Sequence, residues 1–214
     1  IVKATDGEEP KTVVFVQCVG SRDDKVGRPY CSGVCCMYTA KQAIMTKEHD
    51  PDAHTYVFYI DIRAGGKGYE DFVTRAQAEY GVTYIRGRVA KIYERDGKTV
   101  VQGEDTLLGE MIEIPADMVV LGVGMEHSQG AAALAQTLKV SYDINEFFIE
   151  AHPKLRPVET QTDGIFLAGS CVGPRDIPES VAQGSAAAAK VSALFSNEFL
   201  TSDPMVSSID QAKC

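Results

Sequence analysis

Apolar positions along the chain repeat with two periods, and the switches between them lay out the elements. Residues 12–18 (TVVFVQC) form a β-branched apolar run, which reads as a buried strand of a parallel sheet. A polar loop with Gly20, Gly27 and Pro29 follows to residue 30. From 32 to about 48, Val34, Met37, Ile44 and Met45 fall at helical spacings, and Asp50–Pro51 stops that helix. Residues 56–62 read as the next strand and 69–80 as a helix closed by Gly81. The stretches 82–92 and 99–103 read as strands joined through Asp96–Gly97, a strong hairpin signal. Residues 110–114 and 117–122 supply two more. A β-α-β-α order followed by a meander is that of a nucleotide-binding unit.

The remainder is patterned differently. Ala131–Leu138 reads as a short helix, 164–169 (GIFLAG) as an apolar strand running into a glycine, and Ile177–Phe195 as a long small-residue helix with Pro178 in its first turn. Residues 201–214 are polar and read as a linker. The fold class is therefore α/β, with a Rossmann-like domain over 1–125, a second section over 126–200 and the linker over 201–214. The chain starts at Ile1 without a methionine, and both ends read as cuts through a longer polypeptide.

Composition narrows the function classes. The 214 residues carry 21 basic and 30 acidic side chains, a net charge of −9, which disfavours binding to a phosphate backbone through clustered Lys and Arg. The longest apolar runs are too short to span a bilayer. No signal-peptide zoning is seen, and a cytoplasmic location is expected. Six cysteines, unevenly placed, do not make a disulfide scaffold.

Four of those cysteines lie within nineteen residues, Cys18, Cys31, Cys35 and Cys36, in the pattern C-x12-C-x3-C-C. Four thiolates are the ligand count of a [4Fe–4S] cluster. Cys18 ends a strand, and Cys35 and Cys36 open the next helix, where a dinucleotide-binding unit would carry G-x-G-x-x-G; that fingerprint is missing here. Free amides and positive dipole at a helix start suit an anionic centre as well as a pyrophosphate. The cluster is thus expected in the nicotinamide-nucleotide position. Buried inert thiols, a zinc site and a redox-active Cys35–Cys36 pair are the alternatives on residue pattern alone.

The second motif is TDGIFLAGS over 162–170 with IPESVAQG over 177–184. It resembles the carboxyl-terminal FAD-binding segment of thioredoxin-reductase-like flavoproteins. By that resemblance, Gly169, Ser170, Ile177, Pro178, Ser180, Val181, Gln183 and Gly184 line the cofactor. Gly169 allows close backbone approach, and the helix aims its N-terminus at the flavin's N1/O2 edge. Ser170 stands where that family has an acidic residue. Arg156 is a candidate cation for the flavin's N5 side, and Cys171 a nearby thiol that reads more readily as packing.

The stretches VVFVQCVGSRD, PYCSGVCCMYTAKQA and HPKLRPVETQTDGIFLAGSCVGPRDIPESVAQG, with the terminal SSIDQAKC, together resemble the A subunit of heterodisulfide reductase and related flavoprotein subunits of quinone-interacting complexes. The resemblance implies a [4Fe–4S] cluster on Cys18, Cys31, Cys35 and Cys36 beside an FAD, partner oxidoreductase subunits, and a ferredoxin domain after Cys214. It also implies that the first half of the FAD domain precedes Ile1, so an isolated fragment would be inactive. The competing readings are an NAD(P)H-dependent disulfide oxidoreductase with a redox thiol, and a metal-stapled docking module.

Overall fold

The computed structural model describes residues 2–3, 6–25, 27–199 and 207–213. The chain divides into two compact units, Ile1–Ser128 with Gly173–Asp176, and Gln129–Val172 with Ile177–Cys214. Half of the predicted linker, 201–206 together with Cys214, lies outside the described residues.

In the first unit, β1 (Thr12–Val19), β2 (His54–Tyr59), β3 (Thr83–Arg86) and β7 (Met118–Val123) form a parallel sheet in the order β3-β2-β1-β7. β1 is central and covered on both faces. Val13 and Phe15 pack with Ala43 and Ile44 of α1 (Cys35–His49) and Ala76 of α2 (Tyr69–Ala78). Val14 and Val16 pack with Phe58, Ile85, Val101 and Ile114 on the opposite face. The second face is roofed by an antiparallel sheet of β4 (Val89–Arg95), β5 (Lys98–Asp105) and β6 (Glu110–Ala116). This double covering is why 12–18 reads as an unbroken apolar run. Val13, Val14 and Val57 are at most 1% exposed, and each such burial contributes about 1.5–3 kcal/mol. Together these are the three layers of a Rossmann-like domain.

Turn chemistry follows the sequence closely at two points. Asp96 and Gly97 both take positive φ, 53° and 73°, as a type I′ hairpin between β4 and β5 requires. Gly81, at φ 67°, ends α2: its N–H reaches the Gln77 carbonyl and the Val82 N–H the Ala76 carbonyl, a Schellman cap.

Two expected strands differ. Residues 82–92 are two strands, β3 in the parallel sheet and β4 in the antiparallel one, parted at Gly87–Arg88. A side chain at Gly87 would stand 1.7 Å from the Glu104 carbonyl oxygen, so the chain changes sheets where only a bare backbone passes. Residues 164–169 form a single bridge, Phe166 to Glu159, rather than a strand. Val158 sits at φ 58° and breaks the partner segment, leaving only the Leu167–Val158 and Thr160–Ile165 backbone bonds.

In the second unit, α3 (Ala131–Leu138), the 3₁₀ turn Gly169–Val172 and α4 (Ile177–Phe195) are joined by loops pinned on polar side chains. Asp143 accepts from the Asn145 and Phe147 amides, and the Thr160 hydroxyl donates to the Thr162 and Ile165 carbonyls. Among the described residues no helix is long and apolar enough to cross a membrane.

Candidate functional site

The cysteine site is built at the carboxyl ends of the parallel strands. The register of β1 against β7 slips between Val16 and Val19, and there Cys18 takes φ 59°, a conformation a non-glycine residue adopts at a cost. The chain then doubles back. The Ser21 amide bonds the Cys18 carbonyl, Arg28 the Gly20 carbonyl, Arg22 the Tyr30 carbonyl and Asp23 the Arg28 carbonyl. This closed loop returns Cys31 to the strand end. Its return arm is pinned to the chain after β7: the Met125 amide donates to Ser32 Oγ at 2.8 Å and the Tyr30 hydroxyl to the Met125 carbonyl at 2.8 Å.

Cys35 and Cys36 occupy the first turn of α1. Val34, at its N-cap, offers no side-chain cap, and the first turn holds no acidic residue. The positive end of the helix is therefore not neutralised by its own first turn.

Cys18, Cys35 and Cys36 are all free and buried. Cys35 shares its proton with both neighbours. Hydrogen bonding from Cys35 holds Cys18 down at about 7 and Cys36 at about 6, and the same bonds push Cys35 far up. Cys36 also accepts from the Arg63 backbone amide, and its Sγ lies 3.8 Å from the Asp61 carbonyl. Cys31 Sγ accepts from the Gly33 amide at 3.3 Å. Arg22, held by Asp61 at 2.7 Å, is within electrostatic reach of Cys18 and Cys31. Among the described residues no three His, Cys, Asp or Glu side chains are set to chelate a single ion.

Around this cluster lie residues that sequence reasoning missed. Asp61 and Arg63 follow β2, and Arg22 lies in the loop; the signal that could have found them was their place at the carboxyl edge of a parallel sheet, where such folds bind ligands. Among the described residues three buried hydroxyls, Ser21 Oγ, Thr55 Oγ1 and Tyr84 Oη, have no hydrogen-bond partner.

The expected flavin residues lie in the second unit. Gly169 has φ 75° and faces Ser180, whose Oγ is 3.6 Å from where a Cβ would stand. Its amide donates to Gln183 Oε1 at 2.8 Å, so the turn and the first half of α4 are tied together. Ile177 and Val181 are 81% and 65% exposed, and α4, which also carries Pro178 and Gly184, buries none of its residues. Ser170 lies exposed in the 3₁₀ turn. Arg156 is engaged by Glu159 through Nε and Nη2 at 3.1 and 3.0 Å, and Glu159 also holds Lys190 at 2.7 Å. Cys171 donates to the Ala168 carbonyl at 3.2 Å.

Residues 54–188 match the model of the pyridine nucleotide-disulphide oxidoreductase family. The chain is 49% identical, over its whole length, to an iron-sulfur polypeptide of the CoB–CoM heterodisulfide reductase of Methanopyrus kandleri, the second of that organism's A subunits, and covers 33% of it. It is likewise 49% identical over its whole length to the A subunit of the H2:CoB-CoM heterodisulfide,ferredoxin reductase of Methanothermobacter thermautotrophicus, again covering 33%. The chain thus spans a third of the length of these relatives. Among solved structures, T. acidophilum thioredoxin reductase superposes with a TM-score of 0.59 at 19% identity, over 87% of this chain and 53% of that one. Lactococcus lactis thioredoxin reductase gives 0.54 at 18%, over 85% and 52%; both establish the fold.

Proposed function

The chain belongs to the pyridine nucleotide-disulphide oxidoreductase family, and from that premise we propose that it is the electron-transferring segment of an A subunit of the heterodisulfide reductase type, binding one [4Fe–4S] cluster through Cys18, Cys31, Cys35 and Cys36. The observation that carries this reading is the thiol arrangement. Three cysteines from a strand end and a helix start share one proton network, and a hydrogen-bonded loop returns the fourth.

The donor set fits such a centre. A cubane takes each thiolate on a different iron, so its ligands ring a volume rather than converge on one ion. With Cys18 held at about 7 and Cys36 at about 6, about half of the first and most of the second is thiolate at neutral pH, the form an iron ligand takes. The Gly33 and Arg63 amides and the Arg22 guanidinium supply the positive potential that an anionic centre needs. Such a cluster would pass single electrons, and a flavin would exchange them in pairs.

FAD would be held in part by Gly169, Ser170, Ile177, Pro178, Ser180, Val181, Gln183 and Gly184. The Gly169–Gln183 bond fixes the bare backbone of the turn, and the start of α4 would aim its dipole at the flavin's electron-rich edge. The uncovered apolar residues Ile177 and Val181 are consistent with a surface completed elsewhere. Arg156 would reach a flavin only by leaving Glu159. Electrons would run between flavin, cluster and partner oxidoreductase polypeptides in the cytoplasm. The NAD(P)H-dependent alternative is disfavoured because cysteines fill the β1–α1 turn that would grip the pyrophosphate.

Anaerobic reconstitution with iron and sulfide tests the assignment. The expected result is about four irons per chain and a brown chromophore bleached by dithionite. Cys31→Ser and Cys36→Ser should each lose most of it, whereas Cys171→Ser retains it. A colourless protein that takes up stoichiometric zinc instead would refute the reading.

A further inference from the structure

A cavity of about 500 Å3 in the first unit is lined by Arg22, Ile60, Arg86, Gly87, Arg88 and Thr106. Ile60 follows β2, Arg86 ends β3 and Thr106 follows β5, while Arg22 comes from the loop after β1. Among the described residues the lining therefore holds three arginines and no carboxylate, in a chain whose net charge is −9.

The backbone that carries these arginines is fixed. The Arg86 carbonyl accepts from both the amide and the hydroxyl of Thr106, each at 2.8 Å, and the Gly87 amide donates to the Tyr59 carbonyl at 2.8 Å. Arg88 Nη2 donates to the Arg22 carbonyl at 2.8 Å, which draws its guanidinium onto the loop after β1. The charges are not balanced. Arg22 is held by Asp61 at 2.7 Å, but Asp61 also lies 3.9 Å from Arg63, and Arg88 stands 3.9 Å from Asp23. Arg86 makes no ion pair among the described residues. Four guanidinium groups against two carboxylates leave an excess of two positive charges. A cleft lined by one sign of charge focuses its field and concentrates the opposite ion.

We propose that this cavity binds a small organic phosphate monoester, its dianionic head on Arg86 and Arg88 and its organic part in the space beside Ile60. A phosphoryl group offers three terminal oxygens and close to two charges, enough to accept from two guanidinium forks at once. A carboxylate brings two oxygens and a single charge. The cavity is larger than a bare phosphate fills and falls within the range of small-molecule sites. The assignment holds whether or not the cysteines carry iron.

Isothermal titration calorimetry of the full chain, purified anaerobically, tests it with phenyl phosphate, phenyl sulfate and inorganic phosphate at constant ionic strength. Phenyl phosphate should saturate one site with a Kd of about 1 mM or tighter. Phenyl sulfate, alike in shape but singly charged, and inorganic phosphate, which lacks the organic part, should each bind about tenfold more weakly. Arg86→Gln breaks no side-chain contact within the protein and should keep the wild-type melting temperature. It should weaken phenyl phosphate about tenfold, and Arg88→Gln likewise. Arg75→Gln removes the same charge from an exposed position on α2 and should change binding less than about twofold. The proposal is overturned by the absence of saturable binding up to about 10 mM, or by phenyl sulfate or inorganic phosphate binding as tightly as phenyl phosphate. Wild-type affinity in either cavity variant, or an equal loss in Arg75→Gln, would overturn it as well.

Discussion

Removing the central thiol of the cysteine trio should release its neighbours to ordinary acidity. In the iron-free, reduced protein, Cys35 supplies the hydrogen bond that holds Cys18 at about 7 against an ordinary 9.0. At pH 7.5 a thiol at 7 is roughly 75% thiolate and one at 9 roughly 3%. Cys35→Ala should therefore convert Cys18 from mostly charged to almost wholly neutral. Cys36 should move less, because the Arg63 amide continues to stabilise its thiolate. The measurement is thiolate absorbance near ~240 nm followed against pH. Cys35→Ser, which keeps a hydroxyl donor, should retain most of the low-pH titration. Identical midpoints for wild type and Cys35→Ala would refute the shared-proton argument, as would Cys35→Ser shifting as far as Cys35→Ala. The stability of the iron-free chain follows with a defined sign. Folding depresses Cys18 and Cys36, so their contribution is present above the unfolded value and lost as pH falls through about 7 to 6. Folding raises Cys35, so its contribution is present below the unfolded value and lost as pH rises past it. Melting temperature against pH should accordingly peak near 9.

Gly87→Ala places a methyl 1.7 Å from the Glu104 carbonyl oxygen, which must push β3 from β5; about 2–3 kcal/mol of destabilisation is expected. For a chain of this size that is a Tm lower by roughly 4–12 °C, and a change under a degree in thermal unfolding would show the approach to be looser. Gln183→Ala orphans the part-buried Gly169 amide, costing about 1–3 kcal/mol. The loss should appear as faster hydrogen exchange of the 168–172 amides, with 12–19 unaffected; protection unchanged at Gly169 would mean the bond is not formed in solution.

The elements that were legible are those whose signal is local. The run 12–18 shows its burial in its own letters, Asp96–Gly97 names its turn, and Gly81 marks a helix end because only a residue tolerant of φ 67° closes it there. Where a segment changes partners, the letters carry less. Residues 82–92 remain continuously strand-like across Gly87, and the division comes from Glu104, seventeen residues on. In the same way GIFLAG has strand composition but only a broken neighbour to pair with, since Val158 leaves the extended region.

The cysteine spacing alone put a thiol at a strand end and two at a helix start, because backbone periodicity determines where neighbours in sequence point. It said nothing of Asp61 or Arg63. These reach Cys36 from the end of β2, which pairs in parallel with β1, across 25 to 27 residues of chain. Parallel strands are joined by crossovers, so residues at their carboxyl edge are neighbours only once the sheet is formed. Which groups acidify, neutralise or solvate those thiols is therefore a property of the assembled sheet.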